Sequence, residues 1–463
     1  MHRRLAKGKP SVRKGITMSL KASISGVRGI VGDSLTPQVI SDYVSAFLSI
    51  LPEGAILIGR DSRVTGPMIL ELVKSIITFS GRDVVDMGII PTPVVLFGVA
   101  KNNYAGGIVI TASHNPQQWN ALKFVNNDGK FLSPAQFKQM SESYNKKDFK
   151  YADYAHIGHC SIDKQIAQTH LDTVTAAVDT QAIRNKKLTV ALDTVNGAGG
   201  EHTLKLLEKF GCNVVSINTE PTGLFAHTPE PTPANLTQLS DLIKSNKVDV
   251  GFALDPDGDR LVIADGSGMI ICEELTLALC VQQYLAHHKK SDVVINLSSS
   301  RITIDIADKF GSKVYKEPTG EINVTEKMEA IGACIGGEGN GGIIAAEINK
   351  CRDASVGIAF ILEMLSQTDK TLAEIVSQLP QYQLIKKKYD IAELDLSAAE
   401  KQFRQLYPQA EFDCRDGIRI DFPDKWLLVR KSNTEPIVRI FAESVNADEA
   451  TALIEQAVKQ LGI

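Results

Sequence analysis

The sequence predicts an α/β protein built of three similar units and closed by a smaller α+β unit. Three observations predict it. An apolar run, an amphipathic stretch and a second apolar run recur in that order at three places, each time with a glycine ending the amphipathic stretch. Each copy continues into another short apolar strand that ends in a loop of unusual composition. After residue 381 the pattern changes to short alternating runs and one amphipathic closing segment.

Taken in order, the first copy reads "AILIGRDSR" (55–63), "GPMILELVKSIITFSG" (66–81) and "DVVDMG" (83–88). The second reads "LTVALDTVNGAGG" (188–200), "EHTLKLLEKFG" (201–211) and "NVVSIN" (213–218), and the third "DVVINLSSSR" (292–301), "ITIDIADKFG" (302–311) and "KVYKEP" (313–318). Gly81, Gly211 and Gly311 stand where a left-handed C-cap would end each helix. The strands that follow run into "GGIVITASHNP" (106–116), "VDVGFALDPDGDR" (248–260) and "GACIGGEGNGG" (332–342). Ligands of open parallel sheets gather beyond the carboxyl ends of strands, so three equivalent loops nominate Ser113, Asp255 to Asp259 and Glu338 as neighbours in one cleft.

In the last unit, after "PQYQLIKKKYDI" (380–391), the runs "GIRIDF" (417–422), "WLLVR" (426–430) and "IVRIFAES" (437–444) read as antiparallel strands. "NADEATALIEQAVKQLG" (446–462) reads as a helix, with Asn446 and Glu449 spaced as a capping box. The predicted limits are 19–160, 161–268, 269–381 and 382–463, with 1–18 an extension outside the fold.

Composition narrows the function classes. Of 463 residues, 43% are hydrophobic and 22% charged, enough to bury several cores, and no apolar run is long enough to span a bilayer. No membrane partner is expected. A net charge of −4 argues against general nucleic-acid binding, so any anion site must be built locally. Seven scattered cysteines without a CxxC predict reduced thiols and a cytoplasmic protein. "HIGHC" (156–160) has no second ligand pair at zinc spacing and reads as a loop. The first 17 residues hold six Lys or Arg, no acid and no apolar core, which suits a tail or an upstream start codon rather than a secretory signal.

Four loops carry chemistry. "ITASHNP" sets Ser113 beside His114; a hydroxyl attacks only when something takes its proton, so the pair opens a hydrolase reading. No Gly-x-Ser-x-Gly surrounds it, and Asn-Pro favours an extended loop over a strand-to-helix elbow. "DPDGDR" offers Asp255, Asp257 and Asp259 at alternate positions, an oxygen set that suits a hard cation such as Mg²⁺. It is no EF-hand, because Arg260 and Gly266 stand where Gly and Glu are required. "GGEGNGG" permits close backbone approach around its one acid, Glu338, whereas "NGAGG" (196–200) lies at a strand-to-helix junction and reads as structural. "VRKSNTEPIVR" (429–439) joins Arg430 and Arg439 to Ser432, Asn433 and Thr434, the forks, hydroxyls and amides that hold a phosphate dianion.

With these loops in this order, the chain resembles the α-D-phosphohexomutase superfamily from about residue 20 onward. "TASHNP" is similar to that family's phosphoserine loop, "DPDGDR" to its metal loop, "GEGNGG" to its sugar-binding loop and "RKSNTEP" to its phosphate-binding loop. Within the family, "EGNGG" and "WNALK" (119–123) look most like the archaeal type of phosphoglucosamine mutase. The resemblance implies four domains around a central cleft, three of them similar α/β units with mixed sheets. It implies that Ser113 is phosphorylated and binds Mg²⁺ together with Asp255, Asp257 and Asp259. Arg28 and Arg260 fall near the phosphoryl group, Lys123 and His114 where acid–base groups stand, and Asn120 on the same wall. Glu338 and Asn340 fall on the sugar, and Arg430, Ser432, Asn433, Thr434 and Arg439 on its phosphate.

The implied reaction interconverts a hexose 6-phosphate and a hexose 1-phosphate through a bisphosphate that turns over in the cleft, with hexose 1,6-bisphosphate as activator and a small-molecule sugar phosphate as partner. A lysine beside an arginine and a metal is expected to have a lowered pKa. Most members carry Ser and His where Asn340 and Gly342 stand, and Gly where Ala121 stands. The wall facing the hexose is therefore expected to be amide-rich and roomier, with Glu338 pairing the 2-ammonium of glucosamine phosphate. Glucose and mannose phosphates are the alternative. Two remoter readings stand beside it: a phosphatase with Asp255 as nucleophile, and a silent sugar-phosphate sensor.

Overall fold

The computed structural model describes residues 20–390, 394–431 and 437–463; the extension expected over 1–18 lies outside the described residues, as do Ser432, Asn433 and Thr434. The first unit contains β1 (Lys21–Ser23), β2 (Gly26–Ile30), β3 (Ile56–Arg60), β4 (Val84–Ile89), β5 (Gly106–Ile110), β6 (Trp119–Val125) and β7 (Cys160–Ile162) in one sheet, ordered β1-β2-β6-β5-β3-β4-β7. The second contains β8 (Thr189–Asp193), β9 (Asn213–Ile217), β10 (Val250–Leu254) and β11 (Leu261–Asp265); the third contains β12 (Val293–Asn296), β13 (Val314–Glu317), β14 (Ile335–Glu338) and β15 (Gly342–Ala345).

One plan is used three times. β3, β8 and β12 are central, each flanked in parallel by the strand after its crossover helix (β4, β9, β13) and by the next (β5, β10, β14). The following strand (β6, β11, β15) turns back antiparallel on that third strand. The sheets are therefore mixed. β5 and β10 are buried at every position, which is why their sequences are apolar without alternation. Gly81, Gly211 and Gly311 follow the crossover helices with φ of 75°, 68° and 65°, the predicted left-handed caps. Because each chemical loop joins the third strand to the antiparallel strand that follows, all three loops leave the carboxyl ends of equivalent strands.

The fourth unit is an antiparallel sheet ordered β16-β20-β19-β18-β17, from β16 (Gln383–Asp390), β17 (Glu411–Asp413), β18 (Ile418–Asp421), β19 (Trp426–Lys431) and β20 (Ile437–Ser444). Gln383–Asp390, read from sequence only as a lead-in, is an edge strand whose three lysines suit an unpaired rim. The helix Leu396–Leu406 was not predicted. Only half of the expected capping box forms at Asn446: its side chain accepts the Glu449 amide at 2.8 Å, while the Glu449 carboxylate turns to the Ser444 hydroxyl.

The second and third units share one apolar core, in which Phe252, Leu254, Leu277, Ile295, Ile343 and Phe360 are buried together. The first unit has one core of its own and a second that also takes in Ile166 and Cys351 from the next two units, and the fourth has its own core around Phe403, Ile420, Leu427 and Ile440. Polar contacts join the fourth unit to the third: Arg415 to Glu317 (2.9 Å), Lys316 to Asp421 (2.7 Å) and Lys386 to Glu273 (2.9 Å). All seven cysteines are free thiols, and among the described residues no helix is long and apolar enough to cross a membrane.

Candidate active site

Ser113 is buried in the β5–β6 turn with φ +49°, a left-handed conformation that a non-glycine residue adopts only when its surroundings enforce it. Arg63 enforces it. The buried guanidinium donates to the carbonyls of Ser113 (2.6 Å), Asn115 (2.7 Å), Pro116 (2.9 Å) and Trp119 (3.0 Å). Asp61 holds Arg63 in turn at 3.0 Å and accepts the Thr111 hydroxyl at 2.7 Å. Neither Asp61 nor Arg63 was singled out from the sequence. The turn joins two strands, so the strand-to-helix elbow of a serine hydrolase is absent, and the Ser113 hydroxyl donates to Asp255 Oδ2 at 2.8 Å while lying 3.3 Å from His114 Nδ1.

Asp255, Asp257 and Asp259 are fully buried in the β10–β11 turn, with a carboxylate oxygen of each within 4.8 Å of the others. Their oxygens are unequally used. Asp257 Oδ2 accepts from Lys123 and from Thr92, both at 2.6 Å, and Asp259 Oδ2 accepts from Arg352 at 2.6 Å. Asp257 Oδ1 and Asp259 Oδ1 are buried with no hydrogen-bond partner among the described residues. Orphaned carboxylate oxygens are costly in a protein interior, and two of them beside Asp255 and a serine hydroxyl fit a hard divalent cation. Burial, then Asp259 and Asp257, push the Asp255 carboxyl well above its usual range. Burial would raise Asp257 too, but Lys123 and Thr92 outweigh it and hold that group below its usual range.

Burial disfavours the charge on Lys123, yet Asp257 and Asp259 (3.4 Å) outweigh burial, so beside the bare carboxylates the ammonium is held above its ordinary pKa. His114 moves the other way, pushed well below its ordinary value by burial and then by Arg260 and Arg28. Arg28 donates to Asn115 Oδ1 at 3.1 Å, and Arg260 Nε lies 3.8 Å from Asp259 Oδ1. Asn120 turns away: its amide donates to Thr65 Oγ1 at 3.0 Å and its oxygen accepts the Ala121 amide at 2.8 Å. "NGAGG" packs as structure, since a Cβ on Gly197 would come within 2.6 Å of the Pro256 carbonyl.

The sugar loop meets the metal loop where the Leu261 amide donates to the Gly341 carbonyl at 2.9 Å. Glu338 is buried and engaged on both oxygens: Oε1 accepts from Asn296 (3.0 Å) and the Gly320 amide (2.9 Å), Oε2 from Arg352 (2.7 Å). Its expected pairing with a sugar ammonium therefore meets an arginine already in place. The roomier edge expected at Gly342 is not open either, because a Cβ there would lie 2.2 Å from Arg352 Cδ. Arg352 also donates to Glu321 at 2.8 Å, and burial raises the Glu321 carboxyl to about 7 although Arg352 opposes it. Asn340 Oδ1 is buried without a hydrogen-bond partner among the described residues.

In the fourth unit Arg430 and Arg439 face each other across β19 and β20. Like charges directly opposed are unfavourable unless an anion lies between them. Arg430 Nε donates to Asp416 at 2.7 Å, and the other Asp416 oxygen accepts the Thr319 amide at 2.9 Å, one residue before the amide that holds Glu338. The structure thus brings Arg28, Ser113, His114, Lys123, the three aspartates, Arg260 and Glu338 together around one set of carboxylates, and leads from Arg430 toward it through Asp416.

Four family models match in order: the phosphoglucomutase/phosphomannomutase alpha/beta/alpha domains I (residues 20–151), II (168–268) and III (273–382), and the C-terminal domain (384–460). A phosphoglucomutase/phosphomannomutase of Thermococcus kodakarensis is 34% identical over 94% of this chain and 97% of its own length. A phosphoglucosamine/phosphogalactosamine mutase of Sulfurisphaera tokodaii is 30% identical over 94% and 97%. A phosphoglucomutase/phosphomannomutase family protein from Burkholderia thailandensis has the same fold, with a TM-score of 0.82 at 24% identity, over 96% of this chain and 97% of that one. A repeated unit whose three turns bring a serine, three aspartates and a glutamate together, matched by four models in order between residues 20 and 460, makes the chain a member of the phosphoglucomutase/phosphomannomutase family of phosphohexomutases.

Proposed function

We propose that the chain interconverts glucosamine 6-phosphate and glucosamine 1-phosphate through a phosphate carried on Ser113 and a hexose 1,6-bisphosphate, which also serves as activator. One observation carries the reading: a serine hydroxyl, held in an enforced left-handed turn, faces Asp255 beside two carboxylate oxygens that have no hydrogen-bond partner among the described residues. Asp255, Asp257 and Asp259, with Ser113, are the residues that would hold Mg²⁺, whose chemistry when bound is to draw charge from a phosphoryl group. Arg28 and Arg260 add positive charge to the same wall. As the sugar oxygen bonds to phosphorus, the bond from phosphorus to Ser113 Oγ breaks. The proton of the attacking hydroxyl passes to His114, which burial keeps neutral, and the Lys123 ammonium gives one to Ser113 Oγ as it leaves; when the direction reverses, His114 returns its proton and Lys123 takes its own back. Arg430 and Arg439, with Ser432, Asn433 and Thr434, hold the phosphate that is not reacting. Working limits near 160, 268 and 381 and a cytoplasmic site belong to the same proposal.

A second reading, phosphoglucomutase/phosphomannomutase, is favoured by the engagement of both Glu338 oxygens, because an ammonium there would have to compete with the Arg352 guanidinium. Asn340 Oδ1 would accept from an ammonium or a hydroxyl alike. An aspartyl-phosphate phosphatase gains no such support, since Asp255 faces a hydroxyl and the amides of Asp259 and Arg260. A panel of glucosamine, glucose and mannose 6-phosphates assayed with Mg²⁺ tests the proposal. The highest kcat/KM is expected for glucosamine phosphate, with measurable side activity on the others. Equal values, or a preference for mannose phosphate, would promote the second reading.

A further inference from the structure

Arg352 lies on none of the four loops. It stands in the turn between β15 and the helix Ala354–Ser366, yet its guanidinium reaches both the metal loop and the sugar loop. Nε donates to Glu321 Oε2 (2.8 Å), Nη1 to Glu338 Oε2 (2.7 Å) and Nη2 to Asp259 Oδ2 (2.6 Å). The turn beneath it is pinned to all three large units. The Asp353 carboxylate accepts from His170 (2.7 Å), from Asn349 (2.9 Å) and from the Ser355 amide (2.9 Å), and Asn349 also donates to the Pro93 carbonyl at 3.0 Å. The side chain passes so close to the sugar loop that only a residue without a Cβ fits at position 342.

This arrangement decides what Asp259 can offer. With Oδ2 held by Arg352 and by Lys123, only Oδ1 is presented, and that oxygen has no hydrogen-bond partner among the described residues, Arg260 Nε lying 3.8 Å away. The same fork holds the Glu338 oxygen that the backbone does not. We propose that Arg352 is a positioning residue for the mutase reaction, setting with one planar fork both the Asp259 oxygen shown to the cation and the pose of Glu338 toward the sugar. Lysine carries the same charge but cannot bridge three carboxylates in fixed directions. The inference rests on residues 255–259 being the cation site.

The test uses Arg352→Lys, with Gly342→Ala as the second variant, because its new Cβ displaces the Arg352 side chain while every charge remains. The readouts are Mn²⁺ affinity of the dephosphorylated, full-length protein by calorimetry, and kcat and KM for hexose phosphate with Mg²⁺. Both variants are expected to bind Mn²⁺ about five- to twentyfold more weakly, roughly 1–2 kcal/mol, to lower kcat and to raise KM together. Wild-type Mn²⁺ binding with Arg352→Lys or a folded Gly342→Ala within twofold of it on all three quantities overturns the inference and leaves the cation site standing. No Mn²⁺ binding by wild type, with Asp257→Asn no different, overturns the cation site and the inference with it.

Discussion

Replacing Glu274 by glutamine should flatten the pH dependence of stability between about pH 5 and 8. Glu274 is buried under the sugar loop, where its Oε2 accepts the Ser300 amide at 2.9 Å and leaves no room for a Cβ on Gly339. Burial raises its carboxyl from 4.5 to about 7; Lys386, at 3.2 Å, opposes this, while Glu273 and Glu443 add to it. A carboxyl raised in the folded state binds a proton more tightly there than when unfolded. Its contribution is fully present below about 4.5 and is lost as the pH rises through about 7. At about 1.4 kcal/mol per pH unit the loss comes to about 3 kcal/mol. For a cooperative unit the size of the second and third units together, that is roughly 6–12 °C in Tm. The assay is Tm by calorimetry at half-unit pH steps for wild type and Glu274→Gln, read as the difference between their slopes, so that Glu321 and other titrating groups cancel. Lys386 keeps Glu273 in both proteins. Parallel pH profiles would refute the assignment of a raised pKa to Glu274.

Three further outcomes are expected. Ser113→Ala should lose turnover by orders of magnitude while still binding sugar phosphate, and wild-type protein should carry a phosphate on Ser113 that survives hydroxylamine; a hydroxylamine-labile phosphate on Asp255 would support the phosphatase instead. Asp257→Asn should weaken Mg²⁺ binding and depress kcat together, and full activity in excess chelator would contradict a cation site altogether. Arg430→Ala or Arg439→Ala should raise KM about ten- to a hundredfold for both the 1-phosphate and the 6-phosphate, with a smaller rise for Asp416→Asn; an effect on one isomer alone would mean two separate phosphate clamps.

The parts of the site legible in the sequence are those whose chemistry lies within one turn. Three alternate aspartates, a serine before His-Asn-Pro and a glutamate among glycines each announce themselves locally, and the repeat of the fold places them at equivalent turns. Arg352, Thr92 and Arg63 give no such local signal, because each acts on a loop remote in sequence from itself. Arg63 could have been found from the repeat. It closes the polar turn after β3, as Arg301 closes "LSSSR" after β12, and β3 lies beside β5, the strand that leads to Ser113. The misreading of Gly342 has the same root: a loop considered alone shows a missing side chain as space, whereas here a side chain from ten residues later fills it. In the fourth unit, three consecutive lysines hid the edge strand Gln383–Asp390. The helix Leu396–Leu406 did carry a legible cap, since Asp395 accepts the Ser397 amide at 2.9 Å.

The distribution of apolar and polar contacts ties these details to the reaction. The metal loop and the sugar loop belong to two units with one core, so their spacing is set by packing, which resists small displacements. The proposed phosphate clamp sits on a unit that has a core of its own and that ion pairs and hydrogen bonds join to the third unit, the kind of interface that opens at lower cost. A bisphosphate that must present first one end and then the other to Ser113 needs both properties. The groups around the reacting phosphoryl have to stay fixed through the exchange, while the clamp at the far end has to release and regrip. Asp416 stands between the two regimes, because one of its oxygens holds Arg430 and the other the backbone that leads to Glu338. Loss of this carboxylate should therefore change how often the clamp regrips before it changes the chemistry at Ser113, so that bisphosphate escapes more readily while the rate of phosphoryl transfer from Ser113 stays near that of wild type.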